Sequence, residues 1–164
     1  MIGPSSPVVA FDLNGDLAGG FRYLGPVRVL IVDDFEPWRR AVCAILAGDK
    51  DLKVVCEGSD GLEAVRKSEE LRPDLVLLDI QMPKMNGFDA ARRIGAVSPN
   101  TKILFLSLYP CTDMMREALK LGAGFLVKTD AARDLLPAIK AIVGNEAFVR
   151  FKLLGDDPKD PGQI

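Results

Sequence analysis

Residues 27–40 read VRVLIVDDFEPWRR, an apolar run that ends on two adjacent aspartates and passes into a helical pattern. The run 27–32 is rich in β-branched residues, which is typical of a strand buried on both faces of a sheet. Pro37 suits the first turn of a helix, where no backbone N–H is needed. The stretch therefore predicts a buried strand, two carboxylates at its carboxyl end, and a helix over 37–47.

The same alternation of strand and helix continues four more times along the chain. In the second helix, Ser59 is the expected N-cap and Leu62 and Val65 are expected to face inward. Regular alternation predicts an α/β domain, with a parallel sheet, helices on both faces and right-handed crossovers. Further strands are predicted at 53–56, 74–79, 102–107 and 125–127, and further helices at 59–71, 88–96, 112–121 and 132–143.

Reactive side chains stand at the ends of four of these strands. Parallel strands align their carboxyl ends at one edge of the sheet, which is where open α/β sheets bind ligands. Carboxylates gathered there repel one another, so a divalent cation is expected, and oxygen ligands favour Mg²⁺. The pattern predicts an acidic, magnesium-dependent phosphoryl-acceptor site formed by Asp33, Asp34, Asp79, Ser107 and Lys128.

Each of these residues also has an ordinary structural explanation. Asp33 or Asp34 can cap the first helix, Lys128 can be a solvated surface lysine, and Ser107 can be a turn residue. Their joint occurrence at four strand ends favours the site. Trp38 falls on the apolar stripe of the first helix, which indicates a core position rather than stacking on nucleic acid.

The composition limits the class of protein. The chain has 164 residues, 48% of them apolar, and a net charge of −2, which favours one globular domain and gives no electrostatic reason for nucleic-acid or membrane binding. Cys43, Cys56 and Cys111 are scattered and indicate reduced thiols in the cytoplasm. The absence of histidine excludes Ser-His and Cys-His nucleophile chemistry and most zinc sites.

Residues 27–143 resemble a receiver domain of a bacterial two-component response regulator. The resemblance rests on VLIVDDFEPWRR, DLVLLDIQMPKMNG, ILFLSLY and GAGFLVK, which occur in family order and near family spacing. The stretch GAGFLVKTDAARDLLPAIKAI is further similar to the LuxR/NarL-type branch. The resemblance implies a flavodoxin-like, doubly wound sheet of five parallel strands in the order 2-1-3-4-5.

The resemblance also implies a role for each acidic residue. Asp79 would be the phosphoacceptor, whose carboxylate attacks the phosphorus of a phosphodonor. Asp34 and Asp79 would hold Mg²⁺ together with the backbone carbonyl of Gln81, and Asp33 would act mainly through a bound water. Lys128 and the metal would neutralise charge on the phosphoryl oxygens.

A switch is implied at the neighbouring strands. Ser107 would turn toward the phosphoryl group, and Phe125 would move inward behind it. The surface of the fourth helix, fifth strand and fifth helix would then change for a downstream protein or a second copy of the chain. The phosphodonor would be a histidine kinase or a phosphotransfer protein. On this interpretation the chain is a signalling switch rather than an enzyme.

Two other functions remain open at this stage. One is a phosphorylation-independent interaction module on the same fold, favoured if Leu108 narrows the access to Asp79. The other is a flavodoxin-like cofactor binder, which is disfavoured because Asp33 and Asp34 would repel a flavin phosphate. Thr129 also departs from the proline that commonly follows the family lysine.

The two ends of the chain lie outside the resemblance. Residues 1–26 are expected to be an N-terminal extension, either a loose hairpin or disordered. Residues 144–164 are expected to be a C-terminal tail, because about twenty residues cannot form a core of their own. No DNA-reading element is expected in either segment, so the chain is a stand-alone receiver or part of a longer regulator.

Overall fold

The computed structural model describes residues 25–121, 123–145 and 149–150. Strands and helices alternate along these residues as predicted, with most bounds shifted by one or two positions. The elements are β1 (Val27–Val32), α1 (Glu36–Ala47), β2 (Leu52–Gly58), α2 (Gly61–Leu71), β3 (Leu75–Asp79), α3 (Gly87–Val97), β4 (Lys102–Ser107), α4 (Thr112–Lys120), β5 (Gly124–Val127), a 3-10 turn (Lys128–Asp130), α5 (Ala131–Val143) and β6 (Val149–Arg150).

The six strands of the described residues form one parallel sheet in the order β2-β1-β3-β4-β5-β6. The first five confirm the predicted order 2-1-3-4-5. The sixth was not predicted, because residues 148–154 were assigned to a tail that is too short for its own core. A segment that adds to an existing edge needs no separate core: β6 pairs with β5, with Phe125 beside Val149.

Two hydrophobic layers cover the two faces of the sheet. Side chains from alternate strand positions pack with α1 and α5 on one face, and with α2, α3 and α4 on the other. Every residue of β3 is buried, as a central parallel strand requires. The predicted inward positions of α5 are confirmed: Leu135, Ile139 and Ile142 are all buried.

The start of α2 differs from its prediction. Asp60, not Ser59, is the N-cap, and its carboxylate accepts the backbone N–H of Glu63 at 2.9 Å. Val65 packs against the core as expected, but Leu62 is 47% exposed. The prediction was wrong for Leu62 because the buried face of α2 runs through Gly61, Ala64 and Ser68, and Leu62 lies beside this face rather than on it.

Two expectations concern the chain outside the sheet. The hairpin considered for the N-terminal extension falls on residues 1–24, outside the described residues. Among the helices of the described segments, none is long and apolar enough to cross a membrane.

Helix α3 approaches the end of β3 closely at Gly87. A Cβ atom at this position would lie 2.3 Å from the backbone oxygen of Asp79 and 2.8 Å from the Cα of Ile80. Gly95, in the same helix, has no neighbour within 4 Å of the equivalent position. The missing side chain at Gly87 therefore allows the helix to pack against the backbone of the strand end.

We expect Gly87→Ala to lower the free energy of unfolding by about 2 kcal/mol or more, because backbone must move to admit the methyl group. Gly95→Ala is the matched control and should raise it by about 0.5–1 kcal/mol, since alanine is the better helix former. Urea denaturation of the two variants checks this. Equal effects would show that the close approach at Gly87 does not constrain the fold.

Candidate functional site

The register of the sheet brings Asp33 and Asp79 to the same edge. Val32 of β1 is paired with Leu78 of β3, so the residues that follow them are neighbours. Lys128 begins the turn after β5, at the same carboxyl edge. Three residues far apart in sequence therefore meet because parallel strands end together.

Lys128 forms ion pairs with both carboxylates. Its Nζ lies 2.5 Å from Oδ2 of Asp33 and 3.4 Å from Oδ1 of Asp79. The side chains are shielded from solvent, with exposed fractions of 11% for Lys128, 1% for Asp33 and 8% for Asp79. Lys128 is therefore not the solvated surface lysine of the alternative explanation. A buried ammonium of this kind requires its partners, because an unpaired buried charge is strongly destabilising.

Asp33 is held by both its backbone and its side chain. Its Oδ1 accepts the N–H of Phe35 at 2.9 Å, and its backbone N–H donates to Gly58 at 3.1 Å. Arg39 Nη1 donates to the Asp33 carbonyl at 2.8 Å. Phe35 is the N-cap of α1, and no side chain caps this helix. The carboxylates of Asp33 and Asp34 are thus not used as helix caps.

Asp34 completes an acidic cluster. It is exposed, and one carboxylate oxygen from each of Asp33, Asp34 and Asp79 lies within 4.8 Å of the others. Hard oxygen donors at this spacing fit a divalent cation such as Mg²⁺. The expectation that these three carboxylates converge is therefore met.

The pKa of Asp79 is raised from 3.8 to about 6. Burial of the carboxylate is the main cause, and the negative charge of Asp33 adds to it, with a smaller contribution from Asp34. Lys128 acts in the opposite direction but does not compensate for these effects. One ammonium among three carboxylates leaves an excess of negative charge, which a bound cation would relieve.

The loop between β3 and α3 is anchored beside this cluster. The N–H of Gly87 donates to Ile80 at 2.8 Å, which closes the loop at its base. Lys84 adopts a left-handed backbone with φ of 66° and its Nζ contacts Oδ2 of Asp60 at 2.9 Å. Gln81, whose carbonyl is a predicted metal ligand, is exposed within this loop. The Asp60–Lys84 pair was missed, since no local pattern links two residues from different loops.

Ser107 and Phe125 lie in the core next to the site. Ser107 is buried, and its hydroxyl donates to Sδ of Met114 at 4.0 Å. Phe125 is fully buried in the layer beneath α3 and α4. The ring of Phe125 is already buried in this conformation. The expected inward movement would have to start from a different conformation, in which the ring is exposed. Leu108 follows Ser107 and is 48% exposed.

Trp38 is a site residue that the sequence did not reveal. It packs against the core, as its place on the apolar stripe predicted, but Nζ of Lys128 also lies over its ring, 5.3 Å from the centroid. A signal was present: α1 starts directly after the two aspartates, so its first turns must lie at the same sheet edge. The contact with Lys128 depends on β5 and is not visible locally.

Comparison with known proteins agrees with this architecture. Residues 29–140 match the response regulator receiver domain family. The transcriptional regulatory protein DegU of Brevibacillus brevis is 36% identical over 128 residues, which cover 77% of this chain and 54% of DegU. The receiver domain of NarL from Mycobacterium tuberculosis superposes with a TM-score of 0.69 and 30% identity, over 73% of this chain and 97% of that one. A chain of the CheX–CheY complex with BeF3 and Mg²⁺ from Borrelia burgdorferi gives a TM-score of 0.68 and 28% identity, over 72% and 90% of the two chains.

The match covers the elements that carry the acidic cluster and Lys128. The chain spans 54–62% of the length of curated relatives such as DegU and the response regulator VraR of Staphylococcus saprophyticus. These relatives are regulators of the LuxR/NarL type, as the resemblance implied. This chain belongs to the response regulator receiver family.

Proposed function

We propose that the chain is a Mg²⁺-dependent switch of a two-component phosphorelay, phosphorylated on Asp79. Receiver domains are signalling switches rather than classical enzymes. The observation that carries the proposal is the buried contact of Lys128 with Asp33 and Asp79, next to the exposed Asp34. A nucleophilic carboxylate beside one ammonium, with neighbouring carboxylates that can hold a charge-neutralising cation, suits the transfer of a phosphoryl group.

Asp79 is the acceptor in this proposal. One of its carboxylate oxygens forms the bond to phosphorus, while the bond from phosphorus to the donor's histidine nitrogen, or to the oxygen of a small donor, breaks. The donor is a histidine kinase or a phosphotransfer protein. A pKa of about 6 leaves Asp79 ionised at neutral pH and makes it more basic than an ordinary aspartate. Lys128 is placed to donate to the phosphoryl oxygens as they approach.

Asp34 and Asp79 are the proposed direct ligands of Mg²⁺, with the backbone carbonyl of Gln81 as a third. Asp33 acts mainly through a bound water, which is supported by the engagement of its two oxygens with Phe35 and Lys128. A cation held by these residues would supply positive charge to neutralise the phosphoryl oxygens. The similar chain from the Borrelia complex, which contains BeF3 and Mg²⁺ together, supports the choice of Mg²⁺ as the cation.

The proposed output is contact with a downstream protein or a second copy of the chain, not with DNA or a membrane. Phosphorylation pulls the Ser107 hydroxyl away from Met114. Phe125 lies in the same core layer as Met114 and pairs across the sheet with Phe105, two residues before Ser107. The surface of α4, β5 and α5 then changes shape for the partner. The alternative is an interaction module that does not use phosphorylation, and the half-exposed Leu108 is the feature that keeps it open.

We expect Asp79→Asn to abolish covalent labelling by acetyl phosphate and Mg²⁺, because the amide has nearly the same shape but is a poor nucleophile. Asp113→Asn, which changes an exposed carboxylate on α4, is the matched control and should be labelled like the wild type. Intact mass spectrometry measures the gain of one phosphoryl group. Undiminished labelling of Asp79→Asn would exclude this acceptor, and an unlabelled wild type would favour the alternative module.

The metal ligands can be ranked by isosteric substitution. Asp34→Asn should weaken Mg²⁺ binding by about tenfold or more, because it replaces a charged direct ligand. Asp33→Asn should weaken binding less. Titration of each variant with Mg²⁺ by calorimetry checks the order. If Asp33→Asn has the larger effect, the direct and water-mediated positions are reversed.

The raised pKa of Asp79 also predicts a pH dependence of stability. Without metal, the folded state favours the protonated carboxyl, so stability falls as the pH rises from about 4 through about 6. Two pKa units correspond to roughly 3 kcal/mol. Metal-free Asp79→Asn should therefore exceed the wild type in stability at pH 7.5, and the difference should shrink toward pH 4. Urea denaturation across this range measures it, and a pH-independent difference would refute the account.

A further inference from the structure

The ammonium of Lys128 is bounded by two kinds of partner. Asp33 and Asp79 attract it as charges, at 2.5 and 3.4 Å, whereas the ring of Trp38 lies beneath it at 5.3 Å. A cation within about 6 Å of an indole centroid is attracted by the negative face of the ring. The attraction is stronger where water is excluded, as it is here with the lysine side chain only 11% exposed.

The carboxylates and the ring differ in how they respond to phosphorylation. A phosphoryl group on Asp79 changes the charge that faces Lys128, and a bound cation changes the charge of the cluster. The indole ring carries no titratable charge and binds no Mg²⁺. The ring of Trp38 itself is therefore not altered by phosphorylation or by metal binding.

Trp38 is itself held in place. Its backbone N–H donates to Phe35 at 3.0 Å in the first turn of α1, and its ring packs against the core layer beneath that helix. The next residue, Arg39, donates to the carbonyl of Asp33, so one helical turn fixes both the ring and the aspartate.

Packing alone does not account for a tryptophan at this position. Nε1 of Trp38 is buried and has no hydrogen-bond partner among the described residues. An unsatisfied buried donor costs about 1–3 kcal/mol. Leucine or phenylalanine, which are smaller apolar side chains, would avoid this cost, but leucine offers no π face and phenylalanine a weaker one.

We propose that Trp38 is a positioning residue for phosphoryl transfer, which holds the ammonium of Lys128 toward Asp79 through a cation–π contact. The inference rests on the proposed function, because it assigns Trp38 a role in the same reaction. Trp38 does not touch the reacting atoms and acts only through Lys128.

The kinetic test compares Trp38→Leu, Trp38→Phe and the wild type at saturating Mg²⁺, with acetyl phosphate as the donor. Trp38→Leu should lower the rate of Asp79 phosphorylation about three- to tenfold, and Trp38→Phe should restore part of the loss. Ile45→Ala is the matched control, since Ile45 packs against the same core layer from α1 and should leave the rate unchanged. Equal rates for the wild type and Trp38→Leu would overturn the proposal.

A double-mutant cycle separates positioning from packing. In a Lys128→Met background, Trp38→Leu should have no further effect on the residual rate, because the ammonium it holds is gone. Mg²⁺ affinity should be the same for the wild type and Trp38→Leu. A Trp38→Leu effect that persists without Lys128 would show that the ring acts through packing alone, which contradicts the proposal.

A measurement on the unphosphorylated protein keeps this proposal distinct from the proposed function. The NMR signals of the Lys128 side-chain protons next to Nζ should be shifted upfield by the indole ring current, and the shift should vanish in Trp38→Leu. An unlabelled wild type would overturn the proposed function. Absence of the ring-current shift would overturn the positioning role, whatever the labelling.

Discussion

The structure depends on the contact of one buried ammonium with carboxylates at the end of a parallel sheet. Lys128 brings together β1, β3 and β5 through side chains that would be unstable there alone. Each carboxylate lies at its position because an apolar strand ends there, and the strands are in register because both faces of the sheet are buried. The hydrophobic core therefore sets the positions of the charged groups, and the ion pairs in turn hold the ends of the three strands together.

The contact with Lys128 does not remove the excess of negative charge in the cluster. Burial and the neighbouring aspartates raise the pKa of Asp79, while Lys128 can compensate only part of the repulsion. Such a site gains stability from added positive charge and changes its balance when one carboxylate is modified. With this imbalance of charge at the edge of the sheet, modification of one carboxylate can cause the nearby side chains to rearrange.

The features predicted from the sequence share a local origin. The apolar runs and the residues that end them located Asp33, Asp34, Asp79 and Lys128, because strand ends are visible in the order of residues. The features that were missed depend on contacts between distant segments. Asp60 meets Lys84 only after two loops are folded, and Trp38 meets Lys128 only after the sheet brings the carboxyl ends of β1 and β5 to the same edge.

One further difference concerns which face of a helix is buried. Leu62 is apolar, yet it lies beside the buried face of α2, which runs through Gly61, Ala64 and Ser68. The packing of α2 on its neighbours decides which face is buried, and the spacing of apolar residues does not show this. The inward movement of Phe125, which the family resemblance implied, stays a prediction; in this conformation the ring already lies in the core layer beneath α3 and α4.

Strand β6 has a consequence for how the molecule meets others of its kind. An exposed sheet edge presents unpaired N–H and C=O groups that can recruit a strand from another chain. Within the described residues, the backbone of Val149 and Arg150 pairs with β5 beside Phe125 and Leu126. At these positions the edge of β5 is already occupied, so a strand from another chain cannot add there.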